Sequence, residues 1–495
     1  MKEKIKKIIS KYDIVFMILS ISSILLNVCF RFTLKATDEI WVFQNIYKIY
    51  NGFIVYKDIN IITTPMFYYI GNVLFNILGA NIFVFRIYNV IIYLTLYMCI
   101  YTLFKRLEVP KTRSYIYTMV CLFLFTRIIG GGASYNILAI VFVVIGIILE
   151  IDRNKSENKL KYNILQGIIV FFIFMTKQNI GIYFVLGLII ERICIYKNIS
   201  KTIRSLLLTG SISLLLVAGY IIQLIQSNNL YNFINYVFLG IGEFTNNAKI
   251  EYLAVATLLS IVSIYIFLVA LIFKNKKVEL KQEEYTNIQI LVCITLPIIL
   301  VVYPLLNGFH LDMIMMLIYI GIMYMLEIIF LKHVLEDTKV ANYIAGAMAV
   351  LFTILILVDI NFLFYYSNKF KSENEYAHPY FGAIIEEEMQ NNIDEVLSYI
   401  KENDKEVIVF SEEAALYMVP LKRSNGAMDL PFLGNMGENG ENNMIKQIEE
   451  MKNTEFLITE EKTMYQESDK IREYIKEKLI YKGKINKYDI YQTNE

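Results

Sequence analysis

Eleven long apolar stretches constrain the fold of this chain more than any other feature of its sequence. A membrane-spanning helix needs about 20 predominantly apolar residues. Because lipid offers no hydrogen-bond partners to the backbone, a chain with so many such stretches is predicted to fold as a helical bundle in a bilayer. The predicted spans are residues 13–33, 81–104, 114–130, 134–150, 162–177, 180–196, 204–225, 252–273, 287–303, 312–331 and 340–362.

The composition of the chain agrees with a membrane protein. Of its 495 residues, 56% are hydrophobic and 19% are charged, whereas soluble proteins average about 45–50% apolar and about 25% charged residues. These values exclude an ordinary cytosolic enzyme, a disordered protein and a disulfide-stapled secreted domain. The net charge of +1 creates no overall field that attracts nucleic acid, so nucleic acid is not a predicted partner.

The distribution of lysine and arginine predicts the orientation of the chain. These cations are concentrated at the N-terminus and in alternate loops, such as 105–113, 153–161 and 197–204. The positive-inside rule then places the N-terminus in the cytoplasm, and eleven spans place the C-terminus outside the cell membrane. The first stretch is interpreted as an uncleaved span rather than a signal peptide. The shorter segment Pro65–Leu78 predicts a helix at the membrane interface.

The sequence changes character near residue 363, which predicts two domains. Residues 1–362 form the predicted transmembrane domain, and residues 363–495 form a predicted extracytoplasmic α/β domain in which strands alternate with helices. A Gly- and Asn-rich segment, Ser424–Asn443, predicts a surface loop, with a lid over an outer site as the alternative. The predicted strands are Glu406–Phe410, Glu455–Thr459 and Ile485–Gln492, and the predicted helices are Glu386–Lys401, Glu412–Met418, Asn442–Lys452 and Ser468–Leu479.

Two adjacent carboxylates, Asp38 and Glu39, follow the first predicted span. Like charges raise each other's pKa, and a carboxylate poised in this way can act as a general base. The alternative is that the pair stabilises the N-terminus of a helix that begins near Ile40.

Several other polar residues occur on the same predicted side of the membrane. A cation inside a span, such as Arg86, is costly unless it is paired or functional. Lys177 and His310 each have an alternative to a functional role. Lys177 could extend its amine to the membrane surface, and His310 could be a histidine of a surface loop. The candidate residues beyond the carboxylate pair are Tyr56, Asp58, Arg86, Lys177, Gln178 and His310.

The predicted location limits the chemistry that such a site performs. Outside the membrane there is no supply of nucleotide sugars, so group transfer requires a donor that crosses the bilayer, such as a lipid-linked sugar. A phosphate leaving group is stabilised by Arg, Lys or His, and an acceptor hydroxyl needs a carboxylate base. The predicted outer loops contain both kinds of residue.

The order of these motifs over residues 10–360 resembles the GT-C glycosyltransferases. The features are Asp38-Glu39 after the first span, Gly52-x-x-x-Tyr56-x-Asp58, Arg86, Lys177-Gln178-Asn179 and the late Tyr303-Pro304 with His310. In particular, they resemble bacterial enzymes of the family 39-like, protein-mannosyltransferase type, which includes lipid A aminoarabinose transferases. Unlike many relatives, this chain has no arginine directly after Pro304.

The resemblance implies inverting transfer of a sugar from a polyprenyl-phosphate donor to an envelope acceptor, which is a protein, lipid or glycan. Asp38 would be the catalytic base and Glu39 its support. Asp58 would position the acceptor or a metal, and Tyr56 and Gln178 would contact substrate. Arg86, Lys177 and His310 would hold the lipid phosphate. Some relatives bind a divalent cation, but nothing in this sequence demands one, and the early loop contains no histidine for a zinc site.

Three other functions are compatible with the sequence. A flippase or transporter would use intramembrane charges as a pathway, although matched Gly- or Pro-broken spans are not apparent. A polymerase or ligase of lipid-linked glycans would share the architecture. A noncatalytic membrane protein would use its tail to bind a cell-wall partner.

Overall fold

The structure of the chain is a computed structural model. It describes residues 14–26, 39–129, 134–242, 250–274, 280–303, 308–331, 338–367, 387–462 and 467–494. Of the residues singled out in the sequence, Asp38 and Pro304 lie outside these ranges.

Helices account for most of the described chain, and each of the eleven predicted spans contains one. The helices before residue 363 are α1 (Ile14–Ile24), α2 (Trp41–Tyr50), α3 (Met66–Leu78), α4 (Ile82–Arg106), α5 (Lys111–Ile129), α6 (Ser134–Lys155), α7 (Lys159–Thr176), α8 (Gln178–Tyr196), α9 (Ile199–Gln226), α10 (Leu230–Ile234), α11 (Tyr252–Lys274), α12 (Gln282–Ile298), α13 (Gly308–Leu326) and α14 (Thr338–Ser367).

Seven of the described helices are long and apolar enough to cross a bilayer. They are α4, α6, α7, α8, α9, α11 and α12, the last extended by a 3₁₀ turn over Ile299–Val302. Shorter apolar helices include α1, the predicted interfacial helix α3 and parts of α13 and α14. The predicted class, a polytopic helical membrane protein with a small C-terminal sheet, is therefore confirmed.

The chain divides into two compact units that are not continuous in sequence. The first combines residues 1–30, 89–219 and 249–362, and the second combines 31–88, 220–248 and 363–495. The second unit therefore contains the predicted C-terminal domain together with the first predicted outer loop. The domain boundary at 362/363 itself stays a prediction.

Helices of the first unit pack closely at points where one of them has a glycine. A Cβ on Gly187 of α8 would lie 2.9 Å from the Ile294 backbone of α12, and one on Gly167 of α7 would lie 2.5 Å from the Thr209 carbonyl oxygen of α9. Small residues at such crossings let helix backbones approach each other, which is the usual way that helices associate in a membrane.

The C-terminal part of the second unit is a mixed four-stranded sheet covered by helices. The strand order is β1-β2-β4-β3; β1 pairs parallel to β2, and the other two pairings are antiparallel. Its elements are α15 (Glu387–Glu402), β1 (Glu406–Phe410), α16 (Ala414–Leu421), α17 (Gly440–Glu450), β2 (Thr454–Thr459), α18 (Asp469–Lys478), β3 (Ile480–Ile485) and β4 (Tyr488–Gln492).

The sheet buries one continuous apolar cluster. Ile408 and Phe410 of β1 and Phe456 and Ile458 of β2 are packed with apolar residues of α17 and α18. The strands β1 and β2 and the four helices lie within a few residues of their predicted bounds. Strand β3 was not predicted, because most of its residues are exposed. They form no apolar face that would indicate a strand in the sequence.

Candidate functional site

The structure brings together two predicted site residues, Glu39 and Arg86, in the second unit. Arg86 donates from Nε to Glu39 Oε1 over 2.8 Å and from Nη2 to Oε2 over 3.3 Å. Both side chains are completely buried. A bidentate arginine–carboxylate pair fixes both groups in orientation as well as in distance. Arg86, in the first turns of α4, therefore holds the residue that follows Asp38 in the chain.

Glu39 does not cap helix α2, although helix capping was the alternative explanation for the carboxylate pair. Helix α2 begins at Trp41 with Ile40 as its N-cap residue, and no side chain caps it. The Glu39 carboxylate instead pairs with Arg86. Removing a buried carboxylate from water costs several kcal/mol, and this cost is repaid only by a partner of opposite charge with good geometry.

Tyr56 and Asp58 lie in a tight turn that they hold together themselves. Asp58 Oδ2 accepts a hydrogen bond from the Ile54 backbone N–H over 2.8 Å. The buried Tyr56 hydroxyl donates to the Thr63 carbonyl oxygen over 2.8 Å, and the Tyr56 backbone has a positive φ of 67°. Burial raises the pKa of Tyr56 well above its ordinary value of 10.0, so this hydroxyl stays protonated at neutral pH. Their predicted substrate contacts stay predictions.

The segment Ser424–Asn443 is largely buried in the second unit, which differs from the predicted surface loop. Its Asp429 forms a buried ion pair with Lys48 of α2, and the exposed fractions of the two side chains are 3% and 4%. Ser424 Oγ donates to the Asp58 carbonyl oxygen over 2.7 Å. The segment is therefore attached to α2 and to the turn that contains Asp58.

Glycine allows this segment to approach a third part of the unit, residues 229–240. The Glu438 backbone N–H donates to Asn235 Oδ1 over 2.8 Å. Gly437 has φ +79°, and a Cβ there would overlap the Asn235 side chain; a Cβ on Gly240 would lie 2.6 Å from the Gly434 carbonyl oxygen. Only glycine satisfies both the backbone conformation and the space at residue 437.

The remaining predicted site residues belong to the first unit. Lys177 lies between α7 and α8, where its Nζ donates to Asn136 Oδ1 and lies 5.7 Å from the centre of the Tyr135 ring. Gln178 is the first residue of α8 and is buried. His310 lies in the first turn of α13, but its side chain falls outside the described part of the chain. The substrate contacts of all three stay predictions.

Sequence reasoning missed several sets of buried charges, including the following two. One is the Lys48–Asp429 pair, for which the sequence gives no signal because its members are 381 positions apart. The other is a cluster of four charges in the first unit, defined here as the charge tetrad: Glu150, Arg153, Glu191 and Arg192. Its adjacent Glu191 and Arg192 interrupt the apolar end of α8, and that interruption was an available signal.

A metal ion would need ligands beyond those that the described ranges bring together. Within these ranges, no three His, Cys, Asp or Glu side chains lie in a metal-binding group. Glu39 is already paired with Arg86, and Asp58 accepts from its own turn. Asp38 and the His310 side chain lie outside the described part of the chain.

Comparisons with known proteins found similarity in structure alone. No protein-family model and no curated protein matches the sequence. The apo structure of ArnT from Cupriavidus metallidurans aligns over 97% of this chain and 98% of its own, with a TM-score of 0.57 and 9% identity. ArnT bound to undecaprenyl phosphate aligns with a TM-score of 0.48 and 10% identity, over 93% of this chain and 84% of that chain.

An archaeal protein gives a partial match. The Archaeoglobus fulgidus oligosaccharyltransferase, in complex with Zn and sulfate, aligns over 83% of this chain with a TM-score of 0.46 and 12% identity. This chain spans only 61% of the length of that protein. The near-complete alignment with apo ArnT shows that the chain has a GT-C-like membrane fold.

Proposed function

We propose that this protein is a membrane glycosyltransferase that moves a sugar from a polyprenyl-phosphate donor to a hydroxyl group of an envelope acceptor. The observation that supports this most directly is the buried Glu39–Arg86 pair, which anchors the chain next to Asp38. The GT-C-like fold and the order of the sequence motifs agree with the proposal.

In the proposed reaction, Asp38 accepts the proton of the acceptor hydroxyl. The hydroxyl oxygen bonds to the anomeric carbon of the sugar as the bond between that carbon and the donor phosphate oxygen breaks. Polyprenyl phosphate leaves with the electron pair of the broken bond, and the anomeric configuration inverts. Lys177, Gln178 and His310 are proposed to contact the donor, where cations offset the charge on the departing phosphate.

The proposed role of Glu39 is to position Asp38 rather than to share its proton. The Arg86 guanidinium lies against the Glu39 carboxylate and neutralises it. Two adjacent carboxylates would otherwise repel each other and favour protonation of one of them. The phosphate contact predicted for Arg86 is therefore replaced in this proposal by a positioning role.

The proposed location of the reaction is the outer face of the membrane. This orientation follows from the concentration of lysine and arginine in the alternate loops. The C-terminal domain and the first loop would then both lie outside, where the donor is presented by the bilayer. The donor panel in the experiment below would identify the sugar.

The proposal is tested by measuring the release of polyprenyl phosphate by purified protein from a panel of polyprenyl-phosphate sugars, with a crude envelope extract as acceptor. The wild type is expected to release lipid phosphate from at least one donor. The variant Asp38→Asn, which keeps the shape but removes the base, is expected to lose at least about 100-fold in rate. Wild-type-like turnover by Asp38→Asn would remove Asp38 from the mechanism. Donor movement across vesicles without release would favour a flippase.

A second experiment separates positioning of Glu39 from phosphate binding by Arg86. The variants Glu39→Gln, Arg86→Gln and the double variant are compared by kcat and by donor KM. Positioning predicts that each single variant lowers kcat and that the double variant loses less than the product of the two losses, since the groups act as one unit. A raised donor KM in Arg86→Gln alone, with Glu39→Gln unaffected, would contradict positioning and restore the phosphate contact.

A further inference from the structure

Helix α9 presents an unusually bare surface in the first unit. It has 28 residues, or about 42 Å at 1.5 Å per residue, which exceeds the roughly 30 Å hydrocarbon core of a bilayer. Only 11% of its most apolar window is buried within the protein. Its apolar residues that are between 50% and 71% accessible are Ile199, Ile203, Leu207, Leu214, Leu215, Ile222 and Ile225.

A groove runs along the first half of this helix. It has a volume of about 600 Å³ and lies between α9 and the start of α7. Most of its lining is apolar, and the polar groups are two hydroxyls and one guanidinium. The lining residues are Leu160, Ile199, Ser200, Ile203, Arg204, Leu207, Leu208 and Ser211.

Arg204 lines the groove, and four other exposed cations lie at the beginnings of the two helices that border it. Lys197, Lys201 and Arg204 are exposed around the first turns of α9, and Lys159 and Lys161 are exposed in the first turn of α7. Among the described residues, no carboxylate forms an ion pair with Arg204 or Lys201. After Arg204, α9 contains no charged residue up to its end at Gln226. The groove is therefore basic at one end and apolar along its length.

We propose that this groove binds an anionic phospholipid. Its headgroup phosphate would lie against Arg204, Lys201 and the Ser200 hydroxyl, and one acyl chain would follow Ile203, Leu207 and Leu208. A juxtamembrane cation attracts anionic lipid through the phosphate charge, and buried methylene groups add apolar contact. Arg204 lies about 8 Å along α9 from Ile199, which places it near the headgroup level if the helix begins just outside the hydrocarbon core.

The charge pattern favours a lipid over a second copy of this chain. A two-fold symmetric contact through this face would place the same cation cluster opposite itself, and like charges facing each other across an interface are costly. An anionic lipid instead neutralises the cluster. The site also differs from the proposed donor site, since Arg204 and Lys201 belong to a loop end that the charge distribution assigns to the cytoplasmic side.

The test is native mass spectrometry of the purified full-length protein with two lipids of identical acyl chains, dioleoyl phosphatidylglycerol and dioleoyl phosphatidylcholine. The wild type is expected to retain phosphatidylglycerol preferentially. The double variant Lys201→Gln/Arg204→Gln is expected to lose about fivefold in affinity for each cation removed, or roughly thirtyfold in total. Leu207→Trp, which fills the groove, is expected to reduce retention of both lipids.

The matched control is Lys274→Gln/Lys281→Gln, which removes two exposed cations at the ends of other helices and is expected to keep the preference. Equal retention of the two lipids by the wild type, or an unchanged preference in the Lys201/Arg204 variant, would overturn the proposal. An equal loss in the control would also overturn it, because the attraction would then be diffuse. Lipid-free dimers that dissociate in Leu207→Trp would assign the groove to a second copy. Because Lys201 and Arg204 are exposed, their variant decides the question even if Leu207→Trp fails to fold.

Discussion

The two units of the molecule both bury charged side chains, but they use them differently. In the first unit, the charge tetrad joins α6 and α8 within one set of neighbouring helices: Arg153 bonds Glu150 and Glu191, and Arg192 bonds Glu150. In the second unit, two of the buried pairs join segments that are far apart in the chain. Glu39 and Arg86 are 47 positions apart, and Lys48 and Asp429 are 381 apart.

The difference shows what each arrangement contributes. The tetrad contains two carboxyl groups and two guanidinium groups. Arg192 also donates hydrogen bonds to the hydroxyls of Ser205 and Thr209 of α9, over 3.0 Å each. The network ties three helices together. The pairs of the second unit instead hold the predicted catalytic segment and the C-terminal segment in place. Buried charge therefore stabilises a bundle in one unit and positions a candidate site in the other.

The largest expected effect in this comparison comes from Glu150, which is bonded to both arginines of the tetrad. Glu150→Ala leaves Arg153 and Arg192 buried with only Glu191 between them. Removing one partner of a buried ion pair costs about 3–5 kcal/mol. We expect a large fall in the apparent melting temperature in detergent, measured by fluorescence-detected size-exclusion chromatography. Glu157→Ala, which removes an exposed acid, is the control; an equal effect there would break the comparison.

A smaller loss of stability is expected when Lys48 or Asp429 is replaced alone, and replacing both is expected to restore most of it. Lys48→Met or Asp429→Leu alone leaves one buried charge without its partner and is expected to destabilise the protein by about 3 kcal/mol. The double variant Lys48→Met/Asp429→Leu is expected to recover most of that loss, because apolar residues of similar volume replace a buried pair well. The same melting measurement gives the coupling. Additive losses in the double variant would show that the two side chains act independently.

The smallest effect concerns a third and more accessible pair in the sheet domain. Burial alone would raise the pKa of the Glu455 carboxyl, but bonds from Lys405, Tyr399 and Asn403 outweigh it and lower that pKa below 4.5. A lowered folded-state pKa stabilises the fold above the ordinary value and stops doing so as the pH falls below it. Hydrogen exchange in β2 is therefore expected to be slower in the wild type than in Glu455→Gln at pH 7. The difference is expected to shrink near pH 4, and a constant difference would contradict the linkage.

Periodicity and apolar length were sufficient to predict most of the fold. The eleven apolar stretches each contain a helix, because a backbone in lipid has no alternative to internal hydrogen bonding. Strand β1 falls at its predicted residues, Glu406–Phe410, because a short run of β-branched and aromatic residues between polar segments is typical of a buried strand. Strand β3 was missed because it lies at the edge of the sheet and pairs, among the described strands, with β4 alone. Most of its residues are exposed, so they show no alternation of buried and exposed positions.

The candidate site was predicted less completely. The sequence pointed separately to Glu39 and to Arg86, since a carboxylate at a membrane exit and an arginine in a span are both unusual. It did not pair them, and it assigned the Ser424–Asn443 segment to the surface. Pairing between distant segments depends on tertiary packing, and a single sequence contains no record of it.

The sequence by itself determined the membrane class, the helices and most of the C-terminal strands, because these depend on local hydrophobicity and hydrogen bonding. Only the tertiary structure decided that Arg86 faces Glu39, that Lys48 faces Asp429, and that residues 363–495 share a compact unit with the first loop. The physical reason is that a buried charge is stable only beside a partner, and the fold chooses that partner from anywhere in the chain.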